Sequence, residues 1–377
     1  MSIREFVVVK IGGSILRDAD SYINVVEKIK RDFIDRKRIP IVVVSAMKGV
    51  TDRLLNVSRG DVNALNKVEE LYASTAIRIG GDKTWRRVQD ELELLRKIVT
   101  ESSLSFDIKE DLILSFGERV SKILLAEAMR HKELPVLELD ACNIIITDNV
   151  HGNAKILYDE TKKNLSIVQG IVFNSNSIPV MEGFIGCSIK GEITTLGRGG
   201  SDYTATTIAA LLSIKDVYLI TDVEGVYSAD PNLVPSPLVV RSMDYNEGIE
   251  AAKFGVKRFN VKMFEPLIKY YPSVIHIGNL SKFGTKIQSS SDVNMGKPKV
   301  LVYKHVNNRS IIAIIGNNVN RAKLIHETSL ALNSVNVYLS GAVLPPSSPS
   351  ILLLFNNKLD KQVITTLHNI LIEGENV

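Results

Sequence analysis

Residues 194–204, Thr-Thr-Leu-Gly-Arg-Gly-Gly-Ser-Asp-Tyr-Thr, combine three glycines with one arginine and one aspartate. Gly197, Gly199 and Gly200 let a backbone approach a ligand closely and adopt positive φ, and the apolar run 205–212 predicts a helix just after them. Such a loop suits an anion, and Arg198 can grip a carboxylate through two parallel N–H bonds. Ser201 and Asp202 read as N-cap residues of that helix. Capping explains both of them, but it explains neither Arg198 nor the flanking threonines. The chemistry this combination suggests is phosphoryl transfer.

Other segments supply further parts. Lys10-Ile-Gly-Gly-Ser14 follows a strand-like run, with its lysine before the glycines rather than after them as in a Walker loop. Gly12 and Gly13 can offer N–H groups to phosphoryl oxygens while Lys10 neutralises developing charge. Residues 45–52, Ser-Ala-Met-Lys-Gly-Val-Thr-Asp, form a hydroxyl-rich turn into a helix near Thr51, where capping is again a sufficient structural account of Thr51 and Asp52. Ser115-Phe-Gly-Glu-Arg-Val-Ser121 puts a glycine and a charged pair into an apolar helix. A mid-helix glycine costs about 1 kcal/mol relative to alanine, so another group is expected to approach closely there, and Glu118 is a candidate for a substrate ammonium. The turn after residue 220, Thr221-Asp-Val-Glu-Gly-Val-Tyr-Ser-Ala-Asp-Pro231, reads as a nucleotide pocket or as ordinary turn punctuation. Lys257 can reach phosphate oxygens from the opposite side.

The composition narrows the class. With 46 Lys+Arg against 42 Asp+Glu the net charge is +4, which suits small anions and falls short of a nucleic-acid footprint. The basic cluster 28–38 alternates with Ile29, Phe33 and Ile34 at helical spacing and reads as a solvated helix face. Mean hydropathy is +0.09, and no apolar run approaches the roughly 20 residues that span a bilayer, so no membrane partner is expected. Without a secretory start, the chain is expected in the cytoplasm. Two cysteines, Cys142 and Cys187, lack metal-ligand spacing and are expected reduced, and six scattered histidines offer no metal cluster, so no metal-ligating residue is assigned.

Val- and Ile-rich runs at 6–11, 39–44, 177–181 and 217–220 alternate with amphipathic helical stretches such as 22–35. This βα alternation predicts an α/β fold: a three-layer αβα sandwich with a mostly parallel sheet and ligands at the carboxyl ends of its strands. Residues 61–131 read as a helical insertion or lid, with Trp85 as packing. At 377 residues two domains are expected. A boundary is placed in the loop between 280 and 298. Beyond it, strands at 310–316, 335–340 and 350–355 and helices at 321–332 and 359–372 suit a small ferredoxin-like α+β module.

Taken in order, the segments 10–14, 45–52, 115–121, 183–186 (Gly-Phe-Ile-Gly), 194–204 and 221–231 resemble the aspartate kinases of the amino acid kinase family. The resemblance covers residues 5–287, and the remainder is similar to an ACT module. It implies a catalytic domain over 1–287 and a single ACT-like regulatory or dimerisation domain over 298–377. It further implies transfer of the γ-phosphoryl of Mg²⁺-ATP to the side chain of L-aspartate, the first step toward lysine, threonine and methionine. By the same resemblance Lys10, Gly12, Gly13 and Asp202 serve the transferred phosphoryl, and Ser45, Thr51, Glu118, Arg198 and Ser201 surround aspartate. Thr221, Asp222, Tyr227 and Lys257 hold ATP. A homodimer or higher homo-oligomer through the ACT-like domain is also implied.

Three departures stand out. Asn232 occupies a position where the family usually has arginine, residues 258–262 (Arg-Phe-Asn-Val-Lys) replace a common Val-Leu-His-Pro-Arg, and one ACT module stands where two are common. The alternatives are a kinase of the same fold acting on glutamate or N-acetylglutamate, and a non-catalytic amino-acid or nucleotide sensor. A nicotinamide dehydrogenase lacks its Gly-x-Gly-x-x-Gly fingerprint here.

Overall fold

The computed structural model describes residues 5–256, 260–290 and 296–374. The chain forms two compact units, Met1–Asp222 with Lys262–Lys282 and Val223–Val261 with Phe283–Val377. Residues 223–261 and 283–287, grouped above with the catalytic part, thus fall in the second unit.

In chain order the first stretch runs β1 (Glu5–Ile11), α1 (Ala19–Asp32), β2 (Arg38–Val44), α2 (Val50–Ser58), α3 (Val62–Thr100), α4 (Phe106–His131), β3 (Val136–Glu138) and β4 (Ile146–Thr147). It continues through α5 (Tyr158–Asn174), β5 (Ile178–Glu182), β6 (Ile185–Ser188), β7 (Ile193–Thr195), α6 (Gly200–Leu211) and β8 (Asp216–Ile220). After β9 (Ser242–Asp244) and α7 (Tyr245–Lys253) come α8 (Glu265–Lys269) and β10 (Val274–Gly278). The last stretch holds β11 (Phe283–Gln288), β12 (Val300–Val306), β13 (Arg309–Ile315), α9 (Arg321–Ser334), β14 (Gly341–Val343), β15 (Ser350–Phe355) and α10 (Lys361–His368).

In the first unit β3, β5, β2, β1, β8 and β10 lie side by side, all parallel. Val7, Val8 and Val9 of β1 are fully buried, as are Val42, Val43 and Val44 of β2, which is why these strands read as unbroken apolar runs rather than alternating ones. The pairing sets Ile11 beside both Val44 and Ile220, and Val44 beside Glu182. The loops that follow β1, β2, β5 and β8 therefore leave one edge of the sheet together. A small sheet of β4, β6 and β7 flanks them.

Helix α4 is no lid. It is buried from Asp111 through Met129 apart from scattered positions, and it packs on α3. The apolar spacing seen in the sequence is that of a core helix, and burying it stabilises by about 25 cal/mol per Å² of apolar surface removed from water.

The second unit pairs β9 with β11 in parallel and builds a four-stranded antiparallel sheet in the order β12-β13-β15-β14. Leu324, Leu332, Ile351, Leu353 and Leu367 join its core. Two expectations are corrected here. The middle strand lies at 341–343 and not at 335–340, because α9 runs on to Ser334 and Val337 bonds back to Leu332 O. The outer strand of the ferredoxin-like sheet comes from β12, before the module's first expected strand.

The cysteines are corrected as well. Cys142, in the turn Ala141–Asn143, and Cys187, in β6, form a disulfide with Cα atoms 4.7 Å apart. Ile146 pairs with Cys187 across β4 and β6, and Cys187 N donates to Ile145 O, so the sheet draws the turn onto the strand. The two residues are 45 apart in sequence, and spacing rules for metal ligands or short disulfide frameworks do not register such a pair.

Candidate active site

Lys10 is the last-but-one residue of β1, and its Nζ lies 2.7 Å from Oδ1 of Asp202 at the start of α6. Both side chains are mostly shielded, so the pair is held in place rather than loosely solvated. The chain turns immediately after β1. Gly12 N donates to Ile220 O, and an added Cβ would lie 2.9 Å from that oxygen; at Gly13 it would collide with Ala46 O. The glycines are needed so that the β1 and β2 loops can pass each other, which leaves Lys10 reaching out over the edge.

Both helix starts beside this pair are capped by glycine. α6 has Gly199 at its N-cap (φ 73°) and α2 has Gly49 (φ 75°), neither with a side-chain cap. The expectation that Ser201 and Asp202 cap α6, or that Thr51 and Asp52 cap α2, is therefore corrected. Glycine takes the left-handed conformation without a Cβ clash. The hydroxyl and carboxylate residues thus fall in the first turn, where Gly200 N and Asp202 N already bond Gly197 O and Gly199 O, and Val50 N bonds Met47 O.

Glu118 is 3% exposed, on the buried face of α4. Its Oε1 accepts from Ala46 N at 3.1 Å, while Oε2 is buried with no hydrogen-bond partner. Burial, offset in part by that amide, pushes its pKa up to about 8. A carboxyl in this state gains from a cation placed against its second oxygen. The mid-helix glycine beside it has the expected reason: a Cβ on Gly117 would lie 2.8 Å from the Ala46 methyl, so only glycine lets the Ser45 loop rest on α4. Glu182, at the end of β5, pairs with Lys122 at 2.5 Å and accepts from Ala141 N, and burial raises its pKa too.

Ser45 N bonds Ile11 O, and Ser14 Oγ lies 3.3 Å from Thr221 Oγ1, which joins the loops after β1, β2 and β8. Thr221 Oγ1 in turn bonds Asp222. Gly183, directly after β5, packs against Ser201, where an added Cβ would lie 2.6 Å from the serine Cβ. Phe184 follows with φ 67°, unusual for a bulky residue, and its carbonyl accepts from Leu196 N. Arg198 is exposed on the glycine turn.

Lys10, Gly12, Gly13, Ser45, Glu118, Ser201, Asp202, Thr221 and Asp222 are thus gathered on or next to one sheet edge, with Thr51 and Arg198 on adjoining turns. Tyr227 belongs to the second unit, where it lines a cavity of about 520 Å³ together with Asp230, Asn232, Phe254 and Lys304. Lys257 lies outside the described residues. No cluster of three acids or histidines suited to a metal occurs among the described residues.

One buried network near the site has no counterpart among the motifs read from the sequence. Asp111, 1% exposed, accepts from Thr195 Oγ1 at 2.5 Å and from Gly152 N, and lies 2.8 Å from His151 Nδ1. It ties α4 to the strand that enters the glycine turn. Asp111 follows Asp107, Lys109 and Glu110 on the same helix, so no local signal set it apart.

The profile of the amino acid kinase family matches residues 5–277. The chain belongs to the amino acid kinase family. Among its members it is similar to the aspartokinase of Rickettsia felis, 30% identical over 298 residues, 77% of this chain and 62% of that one. It is also similar to the chloroplastic aspartokinase 3 of Arabidopsis thaliana, 33% identical over 66% of this chain and 46% of the relative. The chain spans 32% to 62% of the length of the first three curated relatives it matches. The amino acid kinase fold seen here recurs in aspartokinase III of Escherichia coli in complex with aspartate and ADP, with TM-score 0.74 at 22% identity over 97% of this chain and 83% of that one. It recurs in the aspartate kinase of Clostridium acetobutylicum, with TM-score 0.76 at 19% identity over 98% and 100% of the two chains.

Proposed function

We propose that the protein is an aspartate kinase, transferring the γ-phosphoryl of ATP to the side-chain carboxylate of L-aspartate. The observation that carries this reading is the buried, half-satisfied Glu118, a ready seat for a substrate ammonium, with Arg198 on the adjoining turn for the α-carboxylate. Together they fit a free amino acid better than an N-acylated one. The relatives bearing the name aspartokinase support the choice of aspartate.

A carboxylate nucleophile is ionised near neutral pH, so no general base is needed, and catalysis is alignment plus charge stabilisation. Lys10, oriented by Asp202, meets the charge developing on the transferred group. Gly12 N is engaged by Ile220 O, contrary to expectation, so the fixed dipoles are assigned to the N–H groups of Gly13 and of Ser201 in the first turn of α6. Ser45, Thr51 and Ser201 are assigned to orienting aspartate, and Thr221 and Asp222 to the nucleotide. Asp202 and Asp222 would hold Mg²⁺ together with the substrate phosphates, since this ion commonly takes one or two protein carboxylates. When bound it neutralises the β- and γ-phosphate charge.

The catalytic domain is assigned to residues 1–287 and the ACT-like domain to 298–377. The ACT-like domain is assigned the pairing with a second copy. The cytoplasm, where ATP is made and spent, is the setting this activity calls for. Mg²⁺-ATP and hydroxylamine supplied with aspartate, glutamate or N-acetylglutamate test the reading: aspartyl hydroxamate is expected, and product from another acid with none from aspartate rejects it.

A further inference from the structure

The turn that carries Arg198 is held by Lys262, the last residue of the 258–262 segment that departs from the family's common pattern. Lys262 Nζ donates to Asn153 Oδ1 at 2.6 Å and lies 3.3 Å from each of three carbonyl oxygens, those of Asn153, Ala154 and Leu196. An ammonium has three N–H donors, so four acceptors saturate it and fix its position. Leu196 is the residue immediately before Gly197.

Asn153 continues the chain of contacts. Gly197 has φ 78°, and an added Cβ there would lie 2.8 Å from Asn153 Oδ1, the atom that Lys262 grips most closely. Ala154 N donates to Thr195 O at 2.9 Å, and Asp111 holds both Gly152 N and Thr195 Oγ1. The glycine turn therefore rests on the 152–154 segment, and Lys262 bolts the two together at the one point where the turn begins. Burial lowers the Lys262 pKa, and the nearby Glu265 and Asp148 carboxylates offset part of that fall.

We propose that Lys262 is the positioning residue of the substrate turn: by fixing Asn153 and the Leu196 carbonyl it sets the path of residues 197–199 and so the reach of Arg198. This rests on the reading of Arg198 as the grip on the substrate α-carboxylate. In this role Lys262 acts through the turn, by way of Asn153 and the Leu196 carbonyl. Its loss acts on aspartate recognition and leaves nucleotide binding as it was.

Two readouts on the full-length protein test it. Amide hydrogen exchange of Lys262→Met is expected to rise over residues 194–200 while β1 and β2 stay protected. Steady-state assays are expected to show kcat/KM for aspartate down by about tenfold to a hundredfold, the scale of an ångström-level misplacement, with KM for ATP unchanged. Lys262→Arg, which keeps a charged donor, is expected to recover much of both. Asn153→Ala is expected to give the same pattern and serves if Lys262→Met fails to fold. Exchange over 194–200 and aspartate kinetics both at wild-type level overturn the proposal, as does an equal rise in both KM values. If the wild type forms no aspartyl product, the functional reading falls, and the exchange measurement still decides whether Lys262 clamps the turn.

Discussion

Helices α2 and α6 begin with the same pattern, a left-handed glycine, a spacer, a hydroxyl residue and an aspartate: Gly49-Val50-Thr51-Asp52 and Gly199-Gly200-Ser201-Asp202. Their surroundings differ. Every residue of α6 is buried, and its aspartate is locked to Lys10. In α2 only Val50, Leu54 and Val57 are buried, Asp52 is exposed, and Arg17, Lys48, Arg53 and Lys67 line an open hollow of about 650 Å³ close by. One helix start is built into the core, where charge can be fixed in advance of the reaction. The other sits on a rim, where a charged side chain is screened and contributes little. On the proposed reading, the same local sequence serves transition-state stabilisation in one place and substrate contact in the other.

The largest contrast is expected between the two aspartates. Asp202→Ala, like Lys10→Ala, is expected to lower kcat by about 10²–10³-fold, the usual loss of one preorganised charge-stabilising group, whereas Asp52→Ala leaves kcat near wild type. Rapid-quench or steady-state rates check this, and equal losses at the two positions break the comparison.

Glu118, which touches the α2 loop through Ala46 N, gives a pH signature. At neutral pH its carboxyl, with a pKa near 8, is mostly protonated, and a bound ammonium ionises it with release of a proton. Affinity for aspartate is therefore expected to rise as the pH climbs toward about 8, and Glu118→Gln to lose that dependence; calorimetry in buffers of different ionisation heat reads both. Stability runs the opposite way. Between the ordinary glutamate value of 4.5 and about 8 the folded protein holds a proton that the unfolded chain does not, so stability falls as pH rises through that window. Denaturant titrations are expected to show Glu118→Gln without this decline.

Smaller effects separate the glycines. Ala at either left-handed cap is expected to cost about 1–2 kcal/mol of stability by denaturant unfolding. Only Gly199→Ala is expected to reduce activity by more than its loss of folded protein. Reduction of Cys142–Cys187 is expected to destabilise the protein by about 2–4 kcal/mol, the scale for closing a loop of this length, and free-thiol counting before and after reduction confirms the bond.

The buried parallel strands and the glycine loops were legible because both are local: unbroken Val and Ile runs such as 6–11, and glycines at the ends of strands. Glu118 was legible as an oddity, a charge beside a mid-helix glycine. The pairing of Lys10 with Asp202 and the position of the caps were not, because a partner 192 residues away and a backbone φ leave no local spacing. Asp111, Lys262 and the Cys142–Cys187 bond escaped for the same reason. Each joins segments that only the fold brings together, and Lys262 in addition sits where the sequence departs from the family's common pattern.

The central claim is that this sheet edge recognises a free amino acid at both ends while phosphorylating its side chain. Acyl phosphate trapped as hydroxamate should be measured with aspartate and, side by side, with succinate, which keeps two carboxylates and lacks the ammonium proposed to pair with Glu118. Hydroxamate from aspartate, little from succinate, and loss of that preference in Glu118→Gln is the predicted result. Equal product from both acids in the wild-type protein would contradict it.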